Sequence, residues 1–466
     1  MKDFLFVLGS NWRLSIAELD NVLKYSKFKG KIKDYSANVA IVEFDNLDES
    51  KHYINELMEL QFILGGTQKI AKIFNFIDIQ TVNDAFPMIM DKYKYARNKR
   101  KQILQALNDT LEKIFHRIKN EDIFFAVSIY PDLFDNKYYK NVLVKHFLPF
   151  LNKNIMALLK KKGAKKSLYF EYPEKNIKSG NLNPIFPHHL ITYGLFNKDR
   201  AEIIFGFTEE GVYIARTFTA DDPNFKKKID EQRPSREFKS SISPKLSLMM
   251  LNFLNLFTNR NEKKILDPFL GNGTIVLFAL IEDFRMYGSD MDPEKVKNSI
   301  RNIHWLLEEL EEPLPPLLSE NFKVSKVENL STSFENDFFD GICTEPDLGP
   351  FYVKKPYYNE VIDLFQQELE PLYESFFKEA SKILKPKARI CIISPIINTI
   401  DGGDVQMDIN KFAAQNKFTL IPIIDKNRII NKSNVILQFK KKHVTNLIDA
   451  KKGQIIKRKI YVFEKN

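Results

Sequence analysis

The sequence predicts an α/β protein: a C-terminal half built on a mostly parallel sheet, preceded by smaller α+β units. Three observations predict it. From about residue 262 onward, strand-like and helix-like segments alternate, the pattern of βαβ units. The first 75 residues alternate in the same way on a smaller scale. A length of 466 residues corresponds to about three domains at roughly 150 residues each. Hydrophobic residues make up 44%, and Gly and Pro occupy only 17 and 21 positions, which excludes a disordered or fibrous chain.

The N-terminal stretch, 1–75, opens with an apolar strand from Phe4 and a Gly-Ser-Asn turn. Ser15 with Glu18 three residues later has the spacing of a capping box, so a helix is expected to begin there. Residues 38–44 alternate as a strand, and 62–73 read as a turn followed by another strand. The second stretch, 76–218, is helix-rich and basic in patches. Lys92, Lys94, Arg97, Lys99, Arg100 and Lys101 crowd one helix start, and Lys160, Lys161, Lys162, Lys165 and Lys166 surround a loop. Strands are expected at 123–130, 167–172, 201–207 and 211–218. A polar, turn-rich linker covers 219–243.

The third stretch, 244–466, contains the alternation. Its expected elements are a strand at 264–267, a helix from Thr274, a strand ending at Asp290 and a helix from Pro293. Strands ending near Val327 and Thr344 follow, then a long helix over about 357–384 and a strand at 388–393. Ligands of such sheets bind at the carboxyl ends of the strands, near the point where strand order reverses.

Two cysteines exclude a disulfide scaffold and a Cys-ligated zinc site. Cys343 and Cys391 both lie in apolar runs and read as buried, reduced thiols. No apolar run approaches the roughly 18 residues of a membrane span. Met1-Lys2-Asp3 puts an acid beside a short apolar stretch, which is poor signal-peptide grammar. The expectation is a cytoplasmic protein with no membrane partner. A net charge of +10 is mild for this length and describes a solvated basic surface unless the excess clusters at a site.

The segment Asp267-Pro268-Phe269-Leu270-Gly271-Asn272-Gly273-Thr274 carries the chemistry. A strand ends in an acid, two glycines permit positive φ and close backbone approach, and a helix begins. An ordinary strand-to-helix turn would look the same. The second acid separates the two readings: Asp290 ends the next strand 23 residues later, where a carboxylate accepts hydrogen bonds from ribose hydroxyls. The full three-glycine dinucleotide pattern and the Lys-Ser/Thr pair of a triphosphate loop are both missing. A nucleoside without phosphates fits best, and S-adenosylmethionine is the common one. Its ammonium would pair with Asp267, its ribose with Asp290 and its adenine amino group with Glu328. Upstream, Ser243 and Pro244 read as the cap and first residue of a helix whose N-terminus suits the cofactor carboxylate.

Asp267-Pro-Phe-Leu-Gly-Asn-Gly-Thr and Gly288-Ser-Asp-Met-Asp-Pro resemble the first two motifs of Rossmann-like amino-methyltransferases. Phe6-Val-Leu-Gly, Leu14-Ser-Ile-Ala-Glu-Leu19, Leu64-Gly-Gly-Thr-Gln-Lys-Ile-Ala71 and Arg233-Pro-Ser-Arg236-Glu-Phe-Lys239-Ser resemble the THUMP-containing tRNA guanine-N2 methyltransferases. The resemblance covers nearly the whole chain, patchily. It implies an N-terminal ferredoxin-like domain (1–75), a THUMP RNA-binding domain (76–218), and a Rossmann-like methyltransferase domain (244–466). It also implies methylation of a guanosine N2 amine in tRNA, typically guanosine 10. The cofactor set it implies is Lys239, Ser240, Asp267, Phe269, Gly271, Asn272, Gly273, Asp290, Met291, Glu328 and Asn329.

The departure falls at the acceptor motif. The family pattern there is Asp-Pro-Pro-aromatic, and this chain has Glu345-Pro346-Asp347-Leu348. An exocyclic amine is a poor nucleophile, and an acid that holds one N–H aims its lone pair at the methyl group. Glu345, Pro346 and Asp347 are therefore the expected catalytic residues, with Phe351 placed to stack on the base. The same acids could instead cap the loop of an inactive protein.

A base within structured RNA must be extruded to reach a methyl donor, and duplex RNA is gripped through its backbone and shape. Lys160, Lys161, Lys162, Lys165 and Lys166 are the expected phosphate contacts, with Arg233 and Arg236 in the linker. A solvated lysine run is the bland alternative. Lys440-Lys441-Lys442-His443 reads as plain surface. The adjacent His188 and His189 would face opposite sides of a strand, so no metal site is expected. tRNA is the expected partner; a small activating subunit would leave no signal in this sequence. The alternatives to a tRNA methyltransferase are a DNA amino-methyltransferase and a non-catalytic tRNA-binding protein that keeps the fold.

Overall fold

The computed structural model describes residues 3–45, 47, 53–87, 96–116, 118–133, 138–171, 185–236, 242–315, 318–441 and 443–466. Two large sheets organise it. The first contains β1 (Asp3–Leu8), β2 (Gly30–Tyr35), β3 (Val39–Phe44), β4 (Thr67–Asp78), β5 (Asp122–Tyr130), β6 (Lys166–Tyr169), β7 (Arg200–Phe207) and β8 (Gly211–Ala220). Their order is β2-β3-β1-β4-β8-β7-β5-β6, antiparallel except where β5 runs parallel to β6 and β7. The expected boundary at residue 75 falls inside β4, which pairs with β1 on one side and β8 on the other. Continuous ladder bonds therefore join the first two stretches into one sheet.

Helix Trp12–Tyr25 packs on this sheet. Its cap is Asn11, whose side chain accepts from the Leu14 N–H, so the Ser15/Glu18 capping box expected from spacing does not form. Ser15 lies within the helix. Glu18 is buried and accepts the Gly65 and Gly66 N–H groups at 2.7 Å each, together with Asn252 Nδ2 at 2.7 Å. Any side chain at Gly65 would collide with the Lys245 carbonyl at 2.3 Å, so the first sheet approaches helix Pro244–Asn252 through bare backbone.

Among the described residues one helix, Asn141–Lys161, is long and apolar enough to cross a membrane, although no such run was expected. Half of its apolar window is buried: Leu143, Phe147, Leu151, Ile155 and Leu159 pack into the core over β5 and β7. His188 and His189 belong to helix Pro187–Thr192 rather than a strand, and their rings lie 4.0 Å apart. The linker also holds a helix, Pro223–Gln232, capped by Asp222 with Pro at its first turn.

The second sheet contains β9 (Lys264–Asp267), β10 (Arg285–Asp290), β11 (Phe322–Val324), β12 (Phe339–Thr344), β13 (Leu384–Asn398), β14 (Asp404–Gln406), β15 (Phe418–Leu420), β18 (Asn446–Asp449) and β19 (Ile456–Lys465). The order is β11-β10-β9-β12-β13-β19-β15, parallel through β13, with β19 inserted antiparallel between β13 and β15. Strand β14 adds to β13 and β18 to β19, while β16 (Ile424–Asp425) and β17 (His443–Val444) form a separate antiparallel pair. The α/β class expected from the alternation is thus observed. Cys343 and Cys391 face each other across β12 and β13, buried and unbridged.

Between β15 and β18 the chain returns to the first sheet. Arg428 bonds Asp20 at 2.9 Å, Lys432 pairs with buried Asp34, and the Tyr35 hydroxyl donates to the Leu437 carbonyl at 2.9 Å. Phe439 meets Trp12 edge-on at 5.7 Å. The C-terminal segment therefore straps the two sheets together.

Candidate active site

Strand order reverses at β9 and β12: β10 and β11 extend to one side of the pair, β13 to the other. Loops leaving the carboxyl ends of such a pair diverge, and Asp267, Asp290 and Glu345 lie at or just after those ends. Asp267 ends β9 and is buried. Its Oδ1 accepts from Thr344 Oγ1 at 2.6 Å, at the end of β12, and from the Phe269 N–H at 3.2 Å. Burial pushes its carboxyl up to about 7, with Asp290 and Glu345 adding to the rise against those two hydrogen bonds.

The glycine loop is fixed by its backbone. Leu270 N–H donates to the Ser289 carbonyl at 3.0 Å and Gly273 N–H to the Leu270 carbonyl at 2.8 Å. Asp290 Oδ2 accepts the Gly271 N–H at 2.9 Å, and its Oδ1 accepts the Asp292 N–H at 3.0 Å. A carboxylate has about four lone-pair sites, so two remain for a ligand. Gly271 and Gly273 both take left-handed backbone, φ +51° and +78°. A Cβ on Gly273 would strike Ser299 Oγ at 2.1 Å, whereas one on Gly271 meets nothing within 4 Å. Gly273 is a packing requirement; Gly271 lines open space. Asn272 Oδ1 is buried and has no hydrogen-bond partner among the described residues.

Phe269 is half-buried, its ring 6.0 Å from Phe376. Met291 is exposed just after β10. Glu328 and Asn329 lie exposed on a short turn after β11, tied to the end of β10 by the Ser325 N–H donating to the Asp290 carbonyl at 2.9 Å. Lys239 and Ser240 lie outside the described residues.

The acceptor motif follows β12. Glu345 is largely buried and held by Arg458 of β19, with Nε to Oε1 at 2.6 Å and Nη2 to Oε2 at 3.4 Å. Burial pushes its carboxyl up, and Arg458 pulls it back down. Pro346 is buried, and Asp347 is exposed, its Oδ1 accepting the Gly349 N–H at 2.9 Å. Arg458 gives no signal in the sequence; it arrives from 113 residues away because β19 inserts beside β13. Thr344 was legible only as the end of a strand, and Asn302 not at all. Asn302 Nδ2 donates to the carbonyls of Asn272 at 2.9 Å and Ser235 at 2.8 Å, pinning the glycine loop to the linker.

The expected RNA contacts divide. Lys160, Lys161, Lys165 and Lys166 are exposed around one turn. Lys162 instead turns to Glu112 at 2.5 Å and is mostly covered. Arg233 is a correction: it is 3% exposed and donates to Thr274 Oγ1 at 2.8 Å, so it fastens the linker to the start of helix Thr274–Ile281 and cannot reach a phosphate. Arg236 is partly exposed, 3.5 Å from Asp230.

No family model matches the sequence, and no curated protein matches it. The structure is similar to the crystal structure of TrmN from Thermus thermophilus, with a TM-score of 0.49 and 12% identity over all of both chains. It is similar to a possible methylase from Clostridium difficile 630, with a TM-score of 0.41 and 11% identity over 100% of this chain and 98% of the other. Geranyl diphosphate C-methyltransferase from Streptomyces coelicolor A3(2), crystallised with Mg2+, geranyl diphosphate and S-adenosyl-L-homocysteine, gives a TM-score of 0.29 at 12% identity. That likeness covers 47% of this chain and 80% of the other.

Proposed function

We propose that this chain is an S-adenosylmethionine-dependent methyltransferase acting on the exocyclic N2 amine of a guanosine in tRNA, guanosine 10 being the position implied by the sequence resemblance. The reading rests on one observation. Asp267, Asp290 and Glu345 lie at the strand-order reversal, close enough that, beside the dominant effect of burial, the other two charges add to the rise of the Asp267 carboxyl. The residues fit the cofactor: Gly271 faces open space with a backbone a side chain would strain, and Asn272 Oδ1 beside it is buried without a partner among the described residues. Three carboxylates gathered in one crevice are stabilised by a bound cation.

Bound there, the cofactor supplies an electrophilic methyl group carried on a positively charged sulfur. Asp267 would hold its ammonium group and Asp290 its ribose hydroxyls, with Glu328 and Asn329 at the adenine end and Phe269 and Met291 flanking. Glu345 would accept an N–H of the guanine amine and so orient the nitrogen lone pair, while Pro346 and Asp347 shape the loop. Lys160, Lys161, Lys165 and Lys166 would meet tRNA phosphates, and the cytoplasm is the proposed location.

Arg458 clasping Glu345 is the observation that favours the rival, a non-catalytic tRNA-binding protein. Purified protein, an unmodified tRNA transcript and methyl-labelled donor separate the two. Label recovered as N2-methylguanosine is expected, abolished by Glu345→Ala with donor binding intact, while Asp290→Ala weakens donor binding. No transfer from protein that binds both tRNA and donor overturns the catalytic reading. Transfer to duplex DNA in preference to tRNA overturns the substrate.

A further inference from the structure

The connection from β12 to helix Tyr358–Leu364 begins at Glu345 and carries an unusual surface. Phe351, Val353 and Tyr357 are 66%, 84% and 58% exposed, and Tyr358 and Ile400 beside them are exposed too. Large apolar side chains gathered on one surface mark an interaction site. The segment is anchored. Tyr352 packs against the core, Pro356 is buried, and the Pro356 carbonyl accepts the Ile400 N–H at 3.0 Å. The Tyr358 N–H donates to Asp401 Oδ1 at 2.8 Å, and its ring lies so close to Gly402 that a Cβ there would sit 2.5 Å from it.

Lys354 and Lys355 stand exposed within this set. The Lys355 charge reaches Asp404, which Lys457 of β19 binds at 2.6 Å. Exposed rings interleaved with exposed ammonium groups match a single polynucleotide strand, whose bases stack on any aromatic face while its phosphates meet the lysines. A protein partner would make equal use of the apolar surface, but only a markedly acidic one would meet the two lysines as a phosphate chain does.

We infer that the 351–358 segment is a platform for single-stranded RNA, on which nucleotides next to the target base stack on Phe351 and Tyr357 while Lys354 and Lys355 hold their phosphates. The inference rests on the methyl-transfer reading only for the identity of the target base.

The test is fluorescence anisotropy of the full chain with a labelled unstructured RNA decamer and a labelled RNA duplex. Phe351→Ala/Tyr357→Ala is expected to weaken decamer binding by about tenfold or more, leaving duplex binding unchanged. Lys354→Gln/Lys355→Gln is expected to flatten the salt dependence of decamer binding, the log–log slope falling by about 1.4. All four side chains are exposed, and a melting temperature within a few degrees of the parent is required of each variant before its binding is compared. Calorimetry with S-adenosylhomocysteine on the same preparations scores the methyl-transfer reading separately: absence of heat removes that reading and leaves the anisotropy result standing. Decamer binding unaltered in both double variants, or weakened equally with duplex, overturns the platform.

Discussion

Arg458 grips Glu345 across 113 residues of sequence, Nε to Oε1 at 2.6 Å, with both side chains largely buried. Glu345 is therefore held in place by an arginine of the antiparallel strand β19, whose charge works against the upward push of burial on its carboxyl. Asp449, the cross-strand partner of Arg458, raises the Glu345 carboxyl and is itself held by Asn11 Nδ2 at 3.2 Å. Asn11 also caps helix Trp12–Tyr25, so one polar chain links the first sheet to the acceptor loop.

Arg458→Ala removes the cation that offsets burial of Glu345, and the Glu345 carboxyl then rises further. A higher pKa requires a higher pH to ionise, so the acidic limb of the rate–pH profile is expected to move upward. The turnover number should fall about tenfold to a hundredfold, with donor affinity unchanged. Arg458→Lys keeps the charge without the two-pronged fork and should fall between. A merely structural arginine would leave the acidic limb where it is.

Gly271→Ala and Gly273→Ala should part company. Both incur left-handed strain of about 1 kcal/mol, but only the Cβ at 273 meets Ser299, at 2.1 Å for its Oγ and 3.2 Å for its Cβ. Gly273→Ala is therefore expected to lower the melting temperature sharply. Gly271→Ala should melt within a few degrees of the parent yet bind S-adenosylhomocysteine at least tenfold more weakly. Equal donor affinity in Gly271→Ala would remove the cradle.

Donor binding should depend on pH through Asp267. Burial raises its carboxyl to about 7, so below that value the free protein carries a proton there. A cationic ammonium needs the anion, and binding must expel that proton. Affinity is expected to fall by up to about tenfold per unit as the pH drops below 7 and to level off above it. Asp267→Asn should bind weakly at every pH. The same shift has a stability consequence of the opposite sense. A carboxyl raised from 3.8 to about 7 on folding favours the ligand-free fold in acid, and that stability is lost as the pH climbs between those values.

The C-terminal strap should behave as a structural element. Lys432 and Asp34 are both buried and paired, and removing one partner of such a pair costs about 3–5 kcal/mol. Lys432→Ala is therefore expected to shift the urea midpoint strongly. Lys432→Met with Asp34→Leu, which leaves no lone charge, should recover most of that loss. A midpoint unmoved by Lys432→Ala would show that the strap contributes nothing.

Local signals carried far in the second sheet. Asp267 ends β9, Thr274 starts its helix, Asp290 ends β10, Pro293 starts the next helix and Thr344 ends β12, all where the residues indicated. These boundaries were legible because a proline at the first helical position, glycines with positive φ and a capping Asp292 each act within about four residues. Tertiary structure decided the rest. Ser15 and Glu18 had the right spacing for a cap, but Glu18 was claimed by two buried N–H groups and Asn252, and Asn11 took the cap instead. Arg233 resembled a surface cation and was drawn inward by Thr274. Strand β4 joined two stretches that looked separate, because ladder bonds on both its edges were open to partners from either side. The placement of Arg458 beside Glu345 depends on where β19 inserts, a choice made by sheet packing among residues far apart in the chain. Backbone preferences reach one turn along a helix or strand; contacts across a sheet are set by whichever strands bury the most apolar surface together, and that leaves no mark within any short window of sequence.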